Sequence, residues 1–261
     1  YLFCSEANYR RHSRSIPNLI PFQPHGGKLS DPQSFYYLTK VEGANRRSLG
    51  LAKAVRGLQE RTAIDVFVGH VTAGSPALMF DEFDFPIVTY LEFPSFRSHG
   101  WDARYPPTEI KELRDKNFEM LTCHAVLKSD LALVPSNYAR SLFPAELQPK
   151  ITALMEGFPL DQVGWSQGGI LRKEEGVQEG GFGGRGRVSA KGSERFVRIA
   201  KRGAALRSNV RFVVLGGDNV LYSYENHFLD AQFGPGHNRT YRDWVLDSER
   251  ADHSRFTFPG L

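Results

Sequence analysis

Asp65–His70 (DVFVGH), Pro86–Glu92 (PIVTYLE), Leu131–Pro135 (LALVP) and Lys150–Gly157 (KITALMEG) are short apolar runs separated by segments of helix length. A strand buried on both faces reads as continuous apolar residues, because helical crossovers cover the two sides of a parallel sheet. The runs therefore predict four successive strands of one parallel sheet. In open α/β sheets ligands bind beyond the carboxyl ends of the strands. His70, Glu92 and Ser136 stand at such ends, so the stretch that decides the fold also nominates functional residues.

The segments between and around these runs fit that frame. Thr108 is a cap for a helix over Glu109–Lys128, with Leu113, Met120, Leu121 and Leu127 as its inward face and a dense charged face outward. Ser136 opens another helix. Gly74–Asp84 reads as a short helix or turn. Upstream, Ser34–Glu60 has helical spacing, with Tyr37, Val41, Leu49, Ala52, Val55 and Leu58 forming an intermittent apolar face. Tyr1–Cys4 (YLFC) reads as strand, Ser5–Arg14 as a polar, basic segment, and Gln23-Pro24-His25-Gly26-Gly27 as a loop.

After a hinge at Gly157–Asp161 (GFPLD) the pattern weakens. Gly176–Ser193 (GVQEGGFGGRGRVSAKGS) is low in complexity and shows no clear strand. Order returns with a basic amphipathic helix over Glu194–Arg207, a buried strand over Val210–Leu215, a Gly216-Gly217-Asp218 turn, a helix over Tyr241–Glu249 and a strand over Arg255–Phe258. His227 and His237 fall in a polar loop, read as solvated. The expected organisation is an N-terminal domain over 1–160, a hinge and Gly-rich segment over 161–193, and a partial C-terminal domain over 194–261.

Composition bounds the function classes. With 41% hydrophobic and 24% charged residues the chain is an ordinary soluble globular sequence. A net charge of +4 suits either an unremarkable surface or one meeting phosphates or anionic lipid. Two cysteines, Cys4 and Cys123, are too few for a disulfide scaffold and favour a reducing, cytoplasmic setting. Cys123-His124 lies on the long helix without further ligands at suitable spacing, so core packing is its expected role and no metal site is predicted. No GxGxxG follows any strand, which argues against a dinucleotide oxidoreductase. The sequence shows no membrane-spanning run and no signal peptide. It opens at Tyr1 already in a strand and stops after another, so it reads as a fragment of a longer protein.

An ordered series of motifs resembles the bacterial family 4 glycosyltransferases. It comprises Val68-Gly69-His70, Tyr90-x-Glu92, Arg114-x-x-Asn117, Asp130, Phe143-Pro144-Ala145, Lys150-Ile151, and Glu156-Gly157 with Asp161 after it. It continues with Val213-Val214-Leu215-Gly216-Gly217-Asp218 and Tyr241-Arg242-Asp243-Trp244. The likeness covers nearly the whole chain and is weakest between Val163 and Gly192. It implies an α/β, GT-B-like fold of two Rossmann-like parallel-sheet domains, the second incomplete here. The first binds a glycan or lipid-linked acceptor and the second a nucleotide-sugar donor. Sugar transfer with retention follows, with no bound metal and no cofactor beyond the donor substrate, in pathways such as lipopolysaccharide, capsule or glycolipid synthesis.

The resemblance also implies roles. His70 is the first catalytic candidate and Glu92 the second, orienting the acceptor or the imidazole. Arg185 and Lys191 grip the donor diphosphate, with the Gly216 and Gly217 amides nearby, because charge growing on the leaving diphosphate must be met by cations and backbone amides. Each has a plainer reading. His70 ties down the Gly74 loop, Glu92 stabilises its own loop, and Gly216-Gly217 serves a tight βα turn. Arg187 competes with Arg185. Gly181–Gly184 occupies the place of the strand that should lead into Arg185, and glycine weakens a buried strand. Either a sequence error or a displaced alignment would account for it.

Other functions remain at this point. GGFGGRGR is similar to Arg/Gly segments that bind RNA, and a sugar-nucleotide epimerase would share the architecture. The expectation is a transferase that contacts no nucleic acid and lies in the cytoplasm, with peripheral contact at the inner membrane face where acceptors are lipid-linked. Arg10–Arg14 and Arg46-Arg47 are the basic segments that would make this contact, their plainer reading being solvated surface. The fragment alone is expected to be inactive or very weak.

Overall fold

The computed structural model describes residues 1–24, 36–71, 76–95, 103–157, 176–218 and 225–260. It opens with strands Leu2–Ser5 (β1) and Leu19–Phe22 (β2), paired in parallel around the short helix Glu6–His12 (α1), whose cap is Ser5. Helix Thr39–Gln59 (α2) follows, then strands Phe67–His70 (β3) and Ile87–Tyr90 (β4). Helix Glu109–Lys128 (α3), strand Leu131–Val134 (β5), helix Asn137–Ser141 (α4) and strand Ile151–Ala153 (β6) complete this half. The four runs predicted as strands form one parallel sheet in sequence order, β3-β4-β5-β6. Residues 72–75, His25 to Gly27 and 158–161, on which parts of the turn, loop and hinge expectations fall, lie outside the described residues.

The core of this first unit packs Leu51, Ala52 and Val55 of α2 and Phe118, Ala125 and Val126 of α3 against Phe67, Ile87, Ala132, Val134 and Ile151 of the sheet. Each large side chain so buried contributes about 1.5–3 kcal/mol. Two expectations are corrected. The sheet is covered on one face among the described residues, whereas Val68, Leu131 and Leu154 on the other are 63%, 40% and 57% exposed. The inward face of α3 is also only partly the expected aliphatic one: Leu121 packs against the core, whereas Leu113, Met120 and Leu127 are exposed. The buried positions are Asp115, Phe118, Thr122, Ala125 and Val126. Polar residues are admitted there because Thr122 is hydrogen-bonded and Asp115 is paired in charge. The Thr122 hydroxyl donates to the Pro94 carbonyl at 2.9 Å, and Asp115 lies 3.6 Å from both Lys40 and Arg114. Burial lowers the Lys40 pKa, with the Arg114 charge adding to the effect.

The second unit consists of residues 159–261 together with 102–106, the first of 1–101 and 107–158. Its parallel sheet has the order β7-β8-β9, from Gln178–Gly186 (β7), Val210–Gly217 (β8) and Phe256–Gly260 (β9). Helices Ser193–Leu206 (α5), Glu225–Phe233 (α6) and Tyr241–Ser248 (α7) complete it. Gln178–Gly186 of the Gly-rich run is therefore a strand of this sheet, where the sequence shows no clear strand. Its pairing is continuous with β8 from Gln178 to Gly183. A side chain at Gly180 would come within 3.0 Å of the Phe212 ring, so the neighbouring strand's aromatic fills the space. Phe182, Phe196, Phe212 and Phe256 then pack in succession at centroid distances of 5.0, 6.0 and 5.2 Å, the middle pair edge-on and the outer two tilted. The Arg/Gly run is thus a paired strand and not an open segment. His227 is likewise helical, in α6, and His237 packs on Phe233 beside Asp230.

Candidate active site

Residue parity along the first sheet decides which groups share its carboxyl rim. Phe67 and Gly69 face the core, so Val68 and His70 face away, and register pairs His70 with Tyr90 on the next strand. The His70 Nε2 lies 3.7 Å from Glu92 Oε1, and its ring centroid lies 5.5 Å from that of Tyr90. The Tyr90 hydroxyl donates to Glu156 Oε1 at 2.5 Å. Burial and the Glu156 contact hold the phenol protonated well above its ordinary range. His70 and Glu92 are thus neighbours in the structure, and Tyr90 and Glu156 join them from β4 and the end of β6. An imidazole beside a carboxylate can accept or donate a proton at a sugar hydroxyl, with the carboxylate setting its tautomer.

Tyr90 and Glu156 were visible only as members of the motif series, and their pairing across intervening strands has no local signature. Two other residues, Ser136 at the carboxyl rim and Asp130 at the amino edge before β5, are structural. Ser136 caps α4 by accepting the Ala139 N–H at 3.1 Å, and Asp130 accepts the Ile87 N–H at 2.7 Å. The plainer reading of His70, as a tie for the Gly74 loop, falls on residues outside the described ones.

The carboxyl edge of the second sheet carries the donor-side candidates. Between Gly183 and Gly186 the pairing of β7 with β8 shifts register, and Arg185 sits in this irregularity with an exposed side chain. Bulges of this kind re-aim side chains. Lys191, also exposed, ends a one-turn 3-10 helix, Ser189–Lys191, just before α5. Gly216 lies within β8 rather than in a turn. With φ of 134° and the Gly184 carbonyl oxygen 2.1 Å from where its Cβ would be, it is required by backbone approach between strands. Gly217 pairs with Gly186 at the strand end.

Arg187, the competing arginine, is 5% exposed and committed elsewhere. It donates to Asp218 at 2.9 Å and to the Val214 carbonyl at 3.4 Å, and its guanidinium lies 5.2 Å from the Phe258 ring centre. Arg242 reaches the other Asp218 oxygen at 3.0 Å. Cys123 and His124 pack in the first unit, His124 edge-on to Phe80, and among the described residues no group of three metal-ligating side chains assembles.

Among solved structures the chain is similar to a Listeria monocytogenes protein assigned as a UDP-N-acetylglucosamine 2-epimerase, at 12% identity over 93% of this chain and 55% of that one, with a TM-score of 0.43. A Polygonum tinctorium UDP-glucosyltransferase capable of glucosylating indoxyl aligns at 15% identity over 98% and 62%, with a TM-score of 0.46. The Streptomyces nogalater glycosyltransferase SnogD aligns at 16% identity over 76% and 50%, with a TM-score of 0.33. The chain thus spans roughly half to three-fifths of the length of these distant relatives. No curated protein matches the sequence. The sequence profile of the Glycosyl transferase family 4 group matches residues 3–163, more than half of the chain, and the protein belongs to that family.

Proposed function

We propose that this chain is part of a glycosyltransferase that moves a sugar from a nucleotide-sugar donor to a glycan or lipid-linked acceptor, with retention at the anomeric carbon. The reading is carried by the His70–Glu92–Tyr90–Glu156 cluster at the carboxyl rim of a parallel sheet, in a chain of this family. In this scheme His70 meets the sugar or the acceptor hydroxyl, and Glu92 holds the imidazole. Arg185 and Lys191 offset the charge that grows on the leaving diphosphate, with the Gly216 and Gly217 backbone beside them. Those cations fill the part a bound metal would otherwise take, and the scheme requires none. The nucleotide sugar is the only small-molecule partner required.

A lipid-linked acceptor would bring the protein to the cytoplasmic face of a membrane. The exposed Arg11 and Arg14 support such contact, whereas the exposed Arg10 pairs with Glu6 at 3.4 Å on α1. Arg46 is instead paired with Glu42 at 3.4 Å on α2, and Arg47 is half-buried. Among the described residues no helix is long and apolar enough to cross a membrane.

The test is a thermal-shift panel of nucleotide sugars on the whole enzyme of which this chain is part, followed by a transfer assay. Arg185→Ala is expected to lose donor stabilisation. His70→Ala is expected to keep it and to lose about 10²–10⁴-fold in turnover. Unchanged turnover in His70→Ala, or stabilisation by no nucleotide sugar, overturns the reading.

A further inference from the structure

The turn that carries Lys191 is held by more buried charge than a turn needs. Ser189 opens it. Its N–H donates to Glu225 Oε1 at 2.8 Å, and its hydroxyl donates to Glu194 Oε2 at 3.1 Å. Both glutamates are buried, at 0% and 4% exposure. Glu194 also accepts from the Tyr105 hydroxyl at 3.0 Å, from the Tyr241 hydroxyl, and from Arg104 at 2.9 Å. Arg104 reaches the Ser189 hydroxyl as well, at 3.2 Å. The turn then closes on itself, with Lys191 N–H to Val188 O at 3.1 Å and Gly192 N–H to Ser189 O at 2.8 Å. The Ser193 hydroxyl ties the Val188 carbonyl at 3.0 Å.

Taking a carboxylate out of water costs several kcal/mol unless geometry and hydrogen bonds compensate. A surface 3-10 turn can be capped by one small polar side chain facing solvent. Two enclosed glutamates converging on one serine instead fix the turn's position, which is what a precisely placed cation requires. The exposed Lys191 is that cation, two residues beyond Ser189. On the other side of the buried Arg187–Val188 pair stands Arg185.

We propose that Glu225 and Glu194 are positioning residues that act through Ser189, setting the Ser189–Lys191 turn so that Lys191 meets the donor diphosphate. The proposal rests on the donor-side reading above and adds to it the groups that make the lysine's geometry.

UDP binding to the chain, measured by calorimetry, tests it. Lys191→Ala is expected to weaken binding about tenfold or more, the loss of a charge-assisted contact. Glu225→Ala is expected to weaken it by about the same factor through the freed turn. Glu225→Gln keeps an oxygen for the Ser189 N–H and is expected to stay within about threefold of the parent. In the Lys191→Ala background Glu225→Ala is expected to add nothing, because both act through one group. Full additivity, or a Glu225→Ala variant that melts earlier while binding UDP normally, overturns the positioning role and leaves the donor reading standing. Unchanged binding in Lys191→Ala overturns the donor reading, and the positioning role with it. If Glu225→Ala does not fold, Ser189→Ala, which removes only the hydroxyl donated to Glu194, takes its place. The expectation is weaker UDP binding that does not add to Lys191→Ala, and unchanged binding overturns the proposal.

Discussion

His70 and Glu92 show how little separates a catalytic pair from a structural one at the level of single residues. At 3.7 Å the carboxylate stands beside the imidazole without a tight hydrogen bond, so in the proposed scheme its contribution is indirect. Glu92→Gln is therefore expected to lower turnover by about tenfold, less than the loss in His70→Ala, as an orienting partner does. Equal losses in an acceptor-saturated assay would make Glu92 a direct participant instead. Asp243 gives a different residue-scale expectation. It forms a capping box with Thr240 at the start of α7. Burial pushes its pKa up, but the Thr240 hydroxyl and the Arg242 guanidinium outweigh burial and hold it below the ordinary 3.8. A depressed carboxyl stabilises the fold above the unfolded pKa, and that stability fades as pH falls through the lower folded value. Asp243→Asn is expected to cost about 0.3–1 kcal/mol at neutral pH in urea unfolding. The difference should shrink below about pH 4, and a constant difference down to pH 3 would refute the assignment.

Elements were legible where local chemistry marks them and illegible where a neighbour decides. The Thr108 cap and the run after it give α3 its limits, because capping is a local interaction. Which face of α3 turns inward depends on Lys40 pairing with Asp115 and on the Pro94 carbonyl accepting from Thr122, and nothing within the helix announces those two partners. The strand β7 is the sharper case. Read by composition it shows no clear strand, yet the ring of Phe212 supplies at Gly180 the bulk that the strand lacks. The prediction is position-specific. Gly180→Val meets that ring and is expected to destabilise by about 1–3 kcal/mol. Gly216→Ala drives a Cβ into the Gly184 carbonyl at a positive φ and is expected to cost at least about 2 kcal/mol. Gly181→Val, where nothing lies within 4 Å, is expected to be neutral or to stabilise by up to about 1 kcal/mol. Denaturant melts of the three variants check the order. A uniform penalty across them would mean that glycine matters here for chain flexibility and not for fit.

Across the whole molecule the least legible fact is where residues 102–106 belong. In sequence they stand between β4 and α3, yet they are part of the second unit. Tyr105 is almost completely buried there, its ring edge-on to Phe228, Tyr241 and Trp244 at 5.1, 5.7 and 6.2 Å. Its hydroxyl lies 3.0 Å from both Glu194 Oε1 and the Tyr241 hydroxyl. No periodicity or motif around Tyr105 signals partners about ninety and more residues away in sequence, since long-range packing leaves no local trace. Burial, with Glu194 opposing ionisation, raises the phenol's pKa above its ordinary 10. A raised tyrosine stabilises the fold fully below pH 10 and loses that contribution as the unfolded phenol ionises at higher pH. Tyr105→Phe keeps the ring packing and removes the hydroxyl, leaving Glu194 one donor poorer in a buried site. The expected loss is about 1–3 kcal/mol, flat across neutral pH. Hydrogen exchange followed by mass spectrometry locates it: protection should fall in α5 and α7, whose first turns hold Glu194 and Tyr241, and hold in α2 and α3. Loss confined to α2 and α3 would place Tyr105 with the unit that surrounds it in sequence, and the carboxylate network would then lack its aromatic wall.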